Sequence, residues 1–378
     1  MKLCIDLTSL ADHFSGVERY ASSLTKAIIK DNKTNCILLF KGQVHPLFWV
    51  YEKHPRVRMV VLREGCSKVL FNQVTLLRAI RLIKADAYLF PGFPMPILCQ
   101  RRDCFAVIHD VACFDEGKTM RLLQRWYYQL SRLHEARRAK QIFTISDFSM
   151  SRIFKKLPLA NPEILNISCG IDDAYLSYQR EACEIQTMRK KYRIPENYLL
   201  SLSTLEPRKN LKALVLAYDA LVRGGKKLPP LVLAGRKGWR MLDFLKGISP
   251  EAREKIYITG FVEEEDLPSL YGGACGFVFP SIYEGFGIPP VEAMACGCPV
   301  LASNARALKE VLKDAVIYFK LQDGQDGLKK GLLSLVRLSG GEKDARIRRG
   351  KELAGKYRYQ DVAEKALASM RRAKGYSC

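Results

Sequence analysis

Two glutamates, Glu284 and Glu292, stand in the stretch EGFGIPPVE with seven residues between them. A carboxylate accepts hydrogen bonds from hydroxyl groups, so each glutamate can bind a ligand that carries a diol. Gly285, Phe286 and Gly287 follow the first glutamate and bring backbone N–H groups, which can bind an anion. The pattern therefore indicates a ligand that offers both hydroxyl groups and negative charge.

A helix is predicted directly after this loop. The prolines at 289–290 suit the start of a helix, and Gly297 is a typical residue at a helix end. Glu292 would then lie in the first helical turn and Glu284 in the loop before it. The free N–H groups and the dipole at the start of the helix favour an anion such as a phosphate. A nucleotide sugar carries both phosphates and hydroxyls and fits this combination.

Arg208 and Lys209 form a second candidate group, a few residues after the apolar run Tyr198–Ser203. Two adjacent cations at a strand end can neutralise a diphosphate without a metal ion, although two surface cations would look the same in sequence. The sequence contains no Asp-x-Asp pair that would chelate a metal and no Gly-x-Gly-x-x-Gly fingerprint of a dinucleotide-binding oxidoreductase. We therefore expect neither a metal nor another cofactor.

The first half of the chain has its own candidates. His109 and Asp110 follow the apolar run Phe105–Ile108, and an imidazole and a carboxylate at such a place can bind hydroxyls or move protons. Gly16 lies in the loop Leu10–Arg19, where a glycine lets the backbone approach a ligand. A simple turn at Gly16 and a purely structural His-Asp pair are the alternatives that the residues leave open.

These residues are positioned by an alternation of strands and helices, which predicts α/β architecture with parallel sheets covered by helices. In such sheets ligands bind at the carboxyl ends of the strands. The predicted strands are Lys2–Thr8, Cys36–Phe40, Val57–Leu62, Ala87–Phe90, Phe105–Ile108, Gln141–Ile145 and Ile164–Ile167, followed by Tyr198–Ser203, Leu231–Ala234, Ile256–Thr259, Gly276–Phe279, Val300–Ala302 and Val316–Phe319.

A length of 378 residues suggests about two domains. The stretch Asp173–Pro195 is polar and charged, and the strand-helix alternation begins again after it. The sequence therefore predicts a first domain over residues 1–178 and a second over 179–358. The end of the chain, Tyr359–Lys374, reads as one amphipathic helix.

The chain is strongly basic, with a formal net charge of +22. This charge favours an acidic partner, for which phosphate ligands, nucleic acid and an anionic membrane are the candidates. The 12 cysteines are scattered, which indicates reduced thiols in a cytoplasmic protein rather than disulfides or a metal site. The N-terminus lacks a signal-peptide core, and no apolar run is long enough for a transmembrane helix.

Two basic helices bear on the membrane alternative. The stretch Thr119–Lys140 places its apolar residues on one stripe and its arginines elsewhere, which predicts a helix that packs on the sheet with a solvated basic face. The second helix, Lys68–Lys84, carries Arg78 and Arg81. Contact with an anionic membrane or a lipid phosphate is the alternative interpretation of both.

Several strings together resemble the GT4 group of retaining glycosyltransferases, which share the two-domain GT-B fold. The strings are SLSTLEPRKNL, LAGRKGW, ITGFVEEEDLPSLYGGA and EGFGIPPVEAMACGCPV, and the resemblance covers nearly all of the chain. It implies two Rossmann-like domains whose parallel sheets face an interdomain cleft, with a C-terminal helix, 359–378, that crosses back to the first domain. The Glu-Pro-Arg-Lys-Asn string is similar to that of bacterial mannosyltransferases of surface-polysaccharide assembly.

The resemblance also implies roles for residues of the second domain. Glu292 would hold the ribose diol, and Glu284 would face the hydroxyls of the donor sugar. Arg208 and Lys209 would clamp the diphosphate and stabilise the charge that grows on the leaving group. Backbone atoms of the loop Gly285, Phe286 and Gly287 would bind the donor beside Glu284. The loop Gly260, Phe261 and Val262 would hold the base, and Gly235 would also contact the donor.

In the first domain, His109 resembles the residue near the transferred sugar, with Asp110 and Gly16 on the acceptor side. Many relatives carry two glycines where this chain has Gly16 alone, so its acceptor side departs from the pattern. The implied reaction moves a hexose from a nucleotide sugar to a saccharide or lipid-linked acceptor, with retention of configuration and without a metal. GDP-mannose is favoured as donor over a UDP-sugar. The net positive charge suits a lipid-linked acceptor at the inner face of the membrane.

Two alternatives come from other functional classes. One is a nucleotide-sugar epimerase on the same fold, which would need acid and base residues that the paired-glutamate string does not supply. The other is a basic nucleic-acid-binding protein, but no recognised nucleic-acid motif accompanies the charge.

Overall fold

We describe a computed structural model over residues 1–10, 15–63, 67–115, 117, 122–158, 163–204, 206–236 and 245–375. Parts of four sequence expectations lie outside these residues: 11–14 of the loop around Gly16, 119–121 of the basic helix, Leu205, and Lys237–Trp239. The strands are β1 (Lys2–Asp6), β2 (Asn35–Lys41), β3 (Val57–Leu62), β4 (Ala87–Phe90), β5 (Cys104–Val107), β6 (Gln141–Thr144), β7 (Glu163–Asn166), β8 (Leu199–Leu202), β9 (Leu231–Ala234), β10 (Ile256–Gly260), β11 (Gly276–Phe279), β12 (Val300–Ser303) and β13 (Ile317–Phe319).

Helices alternate with these strands, and a π-helical segment, Phe71–Leu76, joins two of them. The helices are α1 (Gly16–Ile29), α2 (Lys68–Leu70), α3 (Leu77–Leu82), α4 (Ala112–Asp115), α5 (Leu122–Arg138), α6 (Asp147–Lys156), α7 (Asp173–Leu176), α8 (Ala182–Tyr192), α9 (Leu211–Arg223), α10 (Pro250–Glu254), α11 (Leu267–Gly273), α12 (Ile288–Ala295), α13 (Arg306–Leu312), α14 (Gly324–Val336), α15 (Gly340–Ala354) and α16 (Tyr359–Ala373). The predicted strands are confirmed to within one or two residues at each end.

The chain divides into two compact units, Met1–Gly170 with Arg358–Cys378, and Ile171–Tyr357. The predicted boundary near residue 178 is therefore too late. The reason lies in the packing of α7, because Tyr175 places its ring edge-on against Tyr271 of α11 at 6.1 Å between centroids. The amide of Ile171 also donates to the carbonyl of Tyr357, 2.9 Å away, which fixes this crossover to the second unit.

The first unit is built on a parallel sheet with the strand order β3-β2-β1-β4-β5-β6-β7. The central strands β4 and β5 are buried along their whole length and are apolar instead of alternating, as expected for a parallel sheet covered on both faces, whereas the edge strands β3 and β7 are only partly buried. The order reverses between β1 and β4, and the loops after these strands therefore lie where such sheets bind ligands. The carboxyl end of β5, which precedes His109, is beside that of β4.

Helix α5 departs from the sequence expectation. The first part of its apolar stripe does not pack on the sheet, since Leu123 is 87% exposed and Trp126 is 62% exposed, whereas Leu133 packs against the core. The buried face consists of other residues near the end of the helix, including Arg132 and Glu135, which form an ion pair at 2.7 Å. Glu135 also accepts a hydrogen bond from the amide of Met95, so the buried charges are satisfied.

The last helix, α16, returns to the first unit and packs on α1, as the sequence predicted. Its buried face is mostly apolar, and its C-terminal end is fixed by polar contacts. Ser369 donates to the side chain of Gln141 at 2.8 Å, and Arg371 donates to Asp31 and to Thr34. The chain therefore completes its first unit only after the second has been formed in sequence.

The second unit has a parallel sheet in the order β10-β9-β8-β11-β12-β13. The order reverses between β8 and β11, so the loops after these two strands leave the sheet side by side. The first carries Arg208 and Lys209 and the second carries Glu284. The topology thus unites two motifs that are more than 70 residues apart in sequence.

Helix α12 ends as predicted but begins one position earlier than its prolines. At its end, Gly297 adopts a left-handed conformation with φ of 75°, and its amide donates to the carbonyl of Met294. The amide of Cys298 donates to the carbonyl of Ala293, which completes a Schellman motif. Because the helix starts at Ile288, Glu292 lies just beyond the first turn, which corrects the sequence expectation.

Among the described residues of both units, no helix is long and apolar enough to cross a membrane. Its described cysteines are free thiols, and most of them are buried.

We expect Gly170→Ala to destabilise the first unit by about 1–3 kcal/mol, because a Cβ atom there would lie 2.4 Å from the backbone nitrogen of Tyr359 at the start of α16. The melting temperature measures the effect. Gly341→Ala is the matched control, since a Cβ atom there meets nothing within 4 Å. Equal melting temperatures for the two variants would contradict tight packing at Gly170.

Candidate functional site

The candidate site of the second unit lies at the carboxyl ends of β8 and β11. After β8 the chain forms a 3-10 turn, Pro207–Lys209, and Asn210 takes a left-handed conformation before α9 begins. After β11 the chain runs into the loop of Glu284. The amide of Ile282 donates to the carbonyl of Arg208 at 2.9 Å, which joins the two loops through their backbones.

Lys209 and Glu284 form a buried ion pair. The Lys209 Nζ atom donates to Oε1 of Glu284 at 2.6 Å, and both side chains are buried. Burial by itself would raise the pKa of Glu284, but the cations Lys209 and Arg208 outweigh it and hold that pKa below its usual value. The carboxylate of Glu284 is therefore ionised. The ammonium group of Lys209 also makes a cation–π contact, 5.3 Å from the centre of the Phe279 ring.

Arg208 extends this cluster toward solvent. Its Nη1 atom donates to Oε2 of Glu284 at 3.3 Å and to the carbonyl of Tyr283 at 3.2 Å. Its Nε atom is 3.3 Å from a carboxylate oxygen of Glu206. One carboxylate therefore holds two cations in a fixed arrangement, which is a geometry suited to a ligand with two or more phosphate oxygens.

The Gly285–Gly287 loop is buried and its backbone is constrained. Phe286 packs edge-on against Tyr357 with 5.2 Å between ring centroids. Gly287 has φ of 96°, and a Cβ atom there would lie 2.4 Å from Leu308. In the part of the chain that the structure describes, the amides of Phe286 and Gly287 have no hydrogen-bond partner, as expected for donors reserved for an anion.

Glu292 is set differently from Glu284. It is 1% exposed, and its Oε2 atom accepts a hydrogen bond from the hydroxyl of Tyr271 at 2.8 Å. Tyr271 itself packs edge-on against Phe277 of β11 at 5.4 Å between ring centroids. The carboxylate orientation is thus fixed by a tyrosine that the sequence analysis did not single out, since a buried aromatic residue gives no signal of such a role.

The predicted base loop and Gly235 are neighbours at the end of β9 and β10. The amide of Gly235 donates to the carbonyl of Gly260 at 2.8 Å. Gly235 has φ of 128°, and a Cβ atom there would lie 2.0 Å from the carbonyl oxygen of Ser203, so only glycine fits. Val262 is buried. The Phe261 ring lies 5.7 Å from the guanidinium carbon of Arg236, a residue that the sequence pattern did not single out.

In the first unit, His109 is held in a buried setting. Its Nε2 atom lies 2.8 Å from the carbonyl of Pro91, and its ring packs edge-on against Tyr20 with 4.7 Å between centroids. Burial lowers the pKa of His109 to about 4. The imidazole is therefore neutral near pH 7, donates through Nε2 and keeps Nδ1 as an acceptor.

Asp110 and Gly16 also lie at the ends of first-unit elements. Asp110 accepts a hydrogen bond from the amide of Ala112 at 3.0 Å and so begins α4. Gly16 opens α1 directly after Ser15, whose amide donates to Glu18 in a capping box. A Cβ atom on Gly16 would meet no atom of the described chain within 4 Å.

The arrangement can bind a phosphorylated ligand through fixed cations and amides in the second unit, while the buried carboxylates can accept hydrogen bonds from hydroxyl groups. Among the described residues, no group of three or more His, Cys, Asp or Glu side chains is placed to hold a metal ion. The roles of the individual residues stay predictions.

His109 gives a test of its electrostatic setting. Since its folded pKa of about 4 is below the ordinary value of 6.5, the unfolded chain takes up the proton first as the pH falls. The free energy of unfolding should therefore fall from about pH 6.5 to about pH 4, and His109→Gln should weaken this dependence. Denaturant unfolding at pH 7.5 and pH 4.5 measures it; identical pH dependence in both proteins would contradict the buried neutral imidazole.

Relatives of the chain include two mannosyltransferases of Escherichia coli. The chain is 36% identical to O-antigen chain mannosyltransferase B over 240 residues, which is 63% of this chain and 62% of that protein. It is 35% identical to the serotype-specific mannosyltransferase WbdA over 202 residues, or 53% of this chain but only 25% of WbdA. The matched region is thus less than two thirds of either relative.

Solved structures share the fold. The chain aligns with HepE from Anabaena, determined in complex with UDP-glucose, at a TM-score of 0.73 over 98% of this chain and 100% of that one. The sequence identity is 14%, so this likeness shows the fold alone. The predicted GT-B class, with two parallel-sheet α/β units, is confirmed.

A family model described as "Glycosyl transferases group 1" matches residues 154–352. The match contains the second-unit candidates on β8–β11 and α12, and it covers more than half of the 378 residues. The resemblance that the motifs indicated is therefore confirmed, and the chain belongs to the group 1 glycosyl transferases.

Proposed function

We propose that this protein transfers mannose from GDP-mannose to a saccharide or lipid-linked saccharide acceptor, with retention of configuration and without a metal ion. The observation that carries the proposal is the Arg208–Lys209–Glu284 cluster at the reversal point of the second sheet. The relatives in Escherichia coli, which are mannosyltransferases, support the choice of sugar. A UDP-sugar is the second candidate donor, because HepE binds UDP-glucose on the same fold.

In this mechanism Arg208 and Lys209 bind the diphosphate and stabilise the negative charge that develops on it. The bond between the anomeric carbon and the phosphate oxygen breaks, and the acceptor oxygen attacks from the same face. The acceptor proton passes to the leaving phosphate. Because Glu284 already holds both cations in place, the site is organised before the donor arrives, which is the basis of electrostatic catalysis.

The two glutamates then act on different parts of the donor. Glu292, oriented by Tyr271, accepts hydrogen bonds from the ribose diol, and Glu284 faces the hydroxyls of the sugar. The amides of Phe286 and Gly287 bind oxygen atoms beside Glu284. For the first unit we propose that the neutral His109 acts on the transferred sugar and that Asp110 and Gly16 serve the acceptor, as the family resemblance implies.

Glutamine substitutions separate the two roles. Glu292→Gln should weaken GDP binding by about 10- to 150-fold, since it removes charged hydrogen bonds to the ribose. Glu284→Gln should chiefly lower kcat for mannose transfer. Titration calorimetry with GDP and transfer from radiolabelled GDP-mannose to synthetic mannosides provide the measurements.

Glu254→Gln, on the exposed surface of α10, is the matched control for these variants. Melting curves are needed as well, because Glu284→Gln leaves the buried Lys209 without an anionic partner. Wild-type binding and kinetics in both folded variants would contradict the site assignment. Failure of the wild-type protein to use either GDP-mannose or UDP-sugars would overturn the proposed function.

We further propose that the protein works at the inner face of the cytoplasmic membrane, held there by an apolar surface of the first unit. We call this surface the α5 patch. Hydrogen bonds connect its segments: the amide of Leu98 donates to Gln73, which also bonds to Tyr127 of α5. The exposed apolar members are Leu70, Val74, Leu98, Leu122, Leu123, Trp126 and Leu130.

The charges around the α5 patch suit an anionic bilayer. Arg78 and Arg81 are exposed on α3, and the segment 67–84 contains no Asp or Glu. In α5, the acidic residue Glu135 is buried against Arg132 and faces away from solvent. Within segment 67–84 and α5, the described residues expose no carboxylate, and apolar side chains beside cations are typical of surfaces that bind anionic lipids.

The double substitution Leu123→Ser/Trp126→Ser should reduce flotation of the protein with phosphatidylglycerol liposomes by at least about tenfold, because two apolar side chains no longer insert. Raising the salt concentration should weaken wild-type flotation as well. Phe154→Ser, an exposed aromatic residue on α6, is the control. Absence of wild-type flotation at low salt would remove the membrane proposal while leaving the transferase proposal intact.

A further inference from the structure

Arg236 follows β9 directly and carries two unused hydrogen-bond donors. Its Nε and Nη2 atoms are buried and have no partner within the described ranges of the chain. Burying an N–H group of a charged side chain without a partner is costly, so native proteins rarely leave one. Two such donors on one guanidinium indicate that a ligand supplies the missing acceptors.

The two nitrogens are those that bind a pair of acceptors side by side. In this same protein, Arg101 uses Nε and Nη2 to bind both carboxylate oxygens of Asp103 at 2.8 and 2.6 Å. Arg152 binds both oxygens of Asp115 with the same two nitrogens. The free edge of Arg236 therefore matches a ligand edge with two neighbouring acceptors, which a fixed guanidinium fork recognises better than a single one.

The surroundings of Arg236 favour a planar ligand. Its guanidinium carbon lies 5.7 Å from the centre of the Phe261 ring, at the end of β10. The neighbouring Gly235 and Gly260 leave no side chain beside the backbone here. An aromatic face next to a guanidinium is the combination on which nucleic-acid bases stack in many proteins.

The position in the sheet separates Arg236 from the phosphate site. Arg208 and Lys209 follow β8, and their partner Glu284 follows β11, whereas β9 lies on the other side of β8. Two strand spacings put the end of β9 roughly 10 Å from that of β11. This separation corresponds to the part of a nucleotide that extends beyond its phosphates, which is the nucleoside.

We infer that Arg236 is a specificity residue that reads the base of the donor, binding O6 and N7 of guanine through its Nε and Nη2 atoms. Guanine presents these two acceptors side by side, whereas adenine presents an acceptor beside a donor. In uracil an N–H group separates the two carbonyl oxygens. The inference rests on the proposed function, and it assigns the preference for GDP over UDP to one side chain.

The test is calorimetric binding of GDP, IDP, 7-deaza-GDP, ADP and UDP to the full chain. IDP keeps O6 and N7 and should bind like GDP, while 7-deaza-GDP, which lacks N7, should bind at least about tenfold more weakly. These comparisons use the wild-type protein alone, so they do not depend on a variant that folds. ADP and UDP should bind more weakly than GDP.

Substitutions then assign the effect to Arg236. Arg236→Gln should weaken GDP binding by about 5- to 150-fold and change UDP binding by less than about twofold. Arg236→Lys keeps the charge without the fork and should also lose the preference for GDP. Arg253→Gln, an exposed arginine on α10, is the matched control and should bind as wild type.

Two results would overturn the inference and leave the proposed transferase function standing. One is equal loss of GDP and UDP binding in Arg236→Gln, which would place Arg236 on the diphosphate. The other is equal binding of GDP and 7-deaza-GDP by the wild-type protein. Absence of binding for every nucleoside diphosphate would instead overturn the proposed function itself.

Discussion

The buried contact between Lys209 and Glu284 determines how the second unit can work. A buried cation and a buried anion are each costly, and they are tolerated here because they neutralise one another at 2.6 Å. The pair joins the loops after β8 and β11, the two strands between which the sheet order reverses. The proposed site for a charged ligand is therefore organised before any ligand binds, and Arg208 adds a second cation on the solvent side.

The same constraint explains the strained loop that follows. Gly287 adopts a positive φ angle where the chain passes from Glu284 into α12. A side chain on Gly287 would collide with Leu308. The amides of Phe286 and Gly287 follow Glu284 directly in the chain, and Glu292 lies in the helix that begins after them. Gly287, between the two glutamates, is thus required by packing.

The first unit shows a different balance between packing and exposure. Helices cover its parallel sheet, and α16, from the far end of the chain, packs on α1 and completes the unit. Helix α5 instead buries an Arg132–Glu135 pair and exposes Leu123 and Trp126. Its buried charges are satisfied by each other and by a backbone amide, so the helix can dock without using its most apolar stripe, which stays available for the membrane surface proposed above.

Much of this protein follows from local signals in the sequence. Apolar runs between glycine- and proline-rich loops predicted the strands almost to the residue, because parallel strands buried on both faces must be apolar throughout. The string EGFGIPPVE and the Arg208-Lys209 pair predicted the candidate site, although two surface cations would look the same as that pair in sequence. The family could be inferred from the same strings.

Only the tertiary structure decided which residues meet. The pairing of Lys209 with Glu284, the support of Glu292 by Tyr271 and the contact of Arg236 with Phe261 all join segments that are separated in sequence, and no local pattern encodes such contacts. The start of α12 at Ile288 and the exposed stripe of α5 differ from expectation for the same reason. Periodicity gives the apolar face of a helix, but the neighbouring elements decide whether that face is covered.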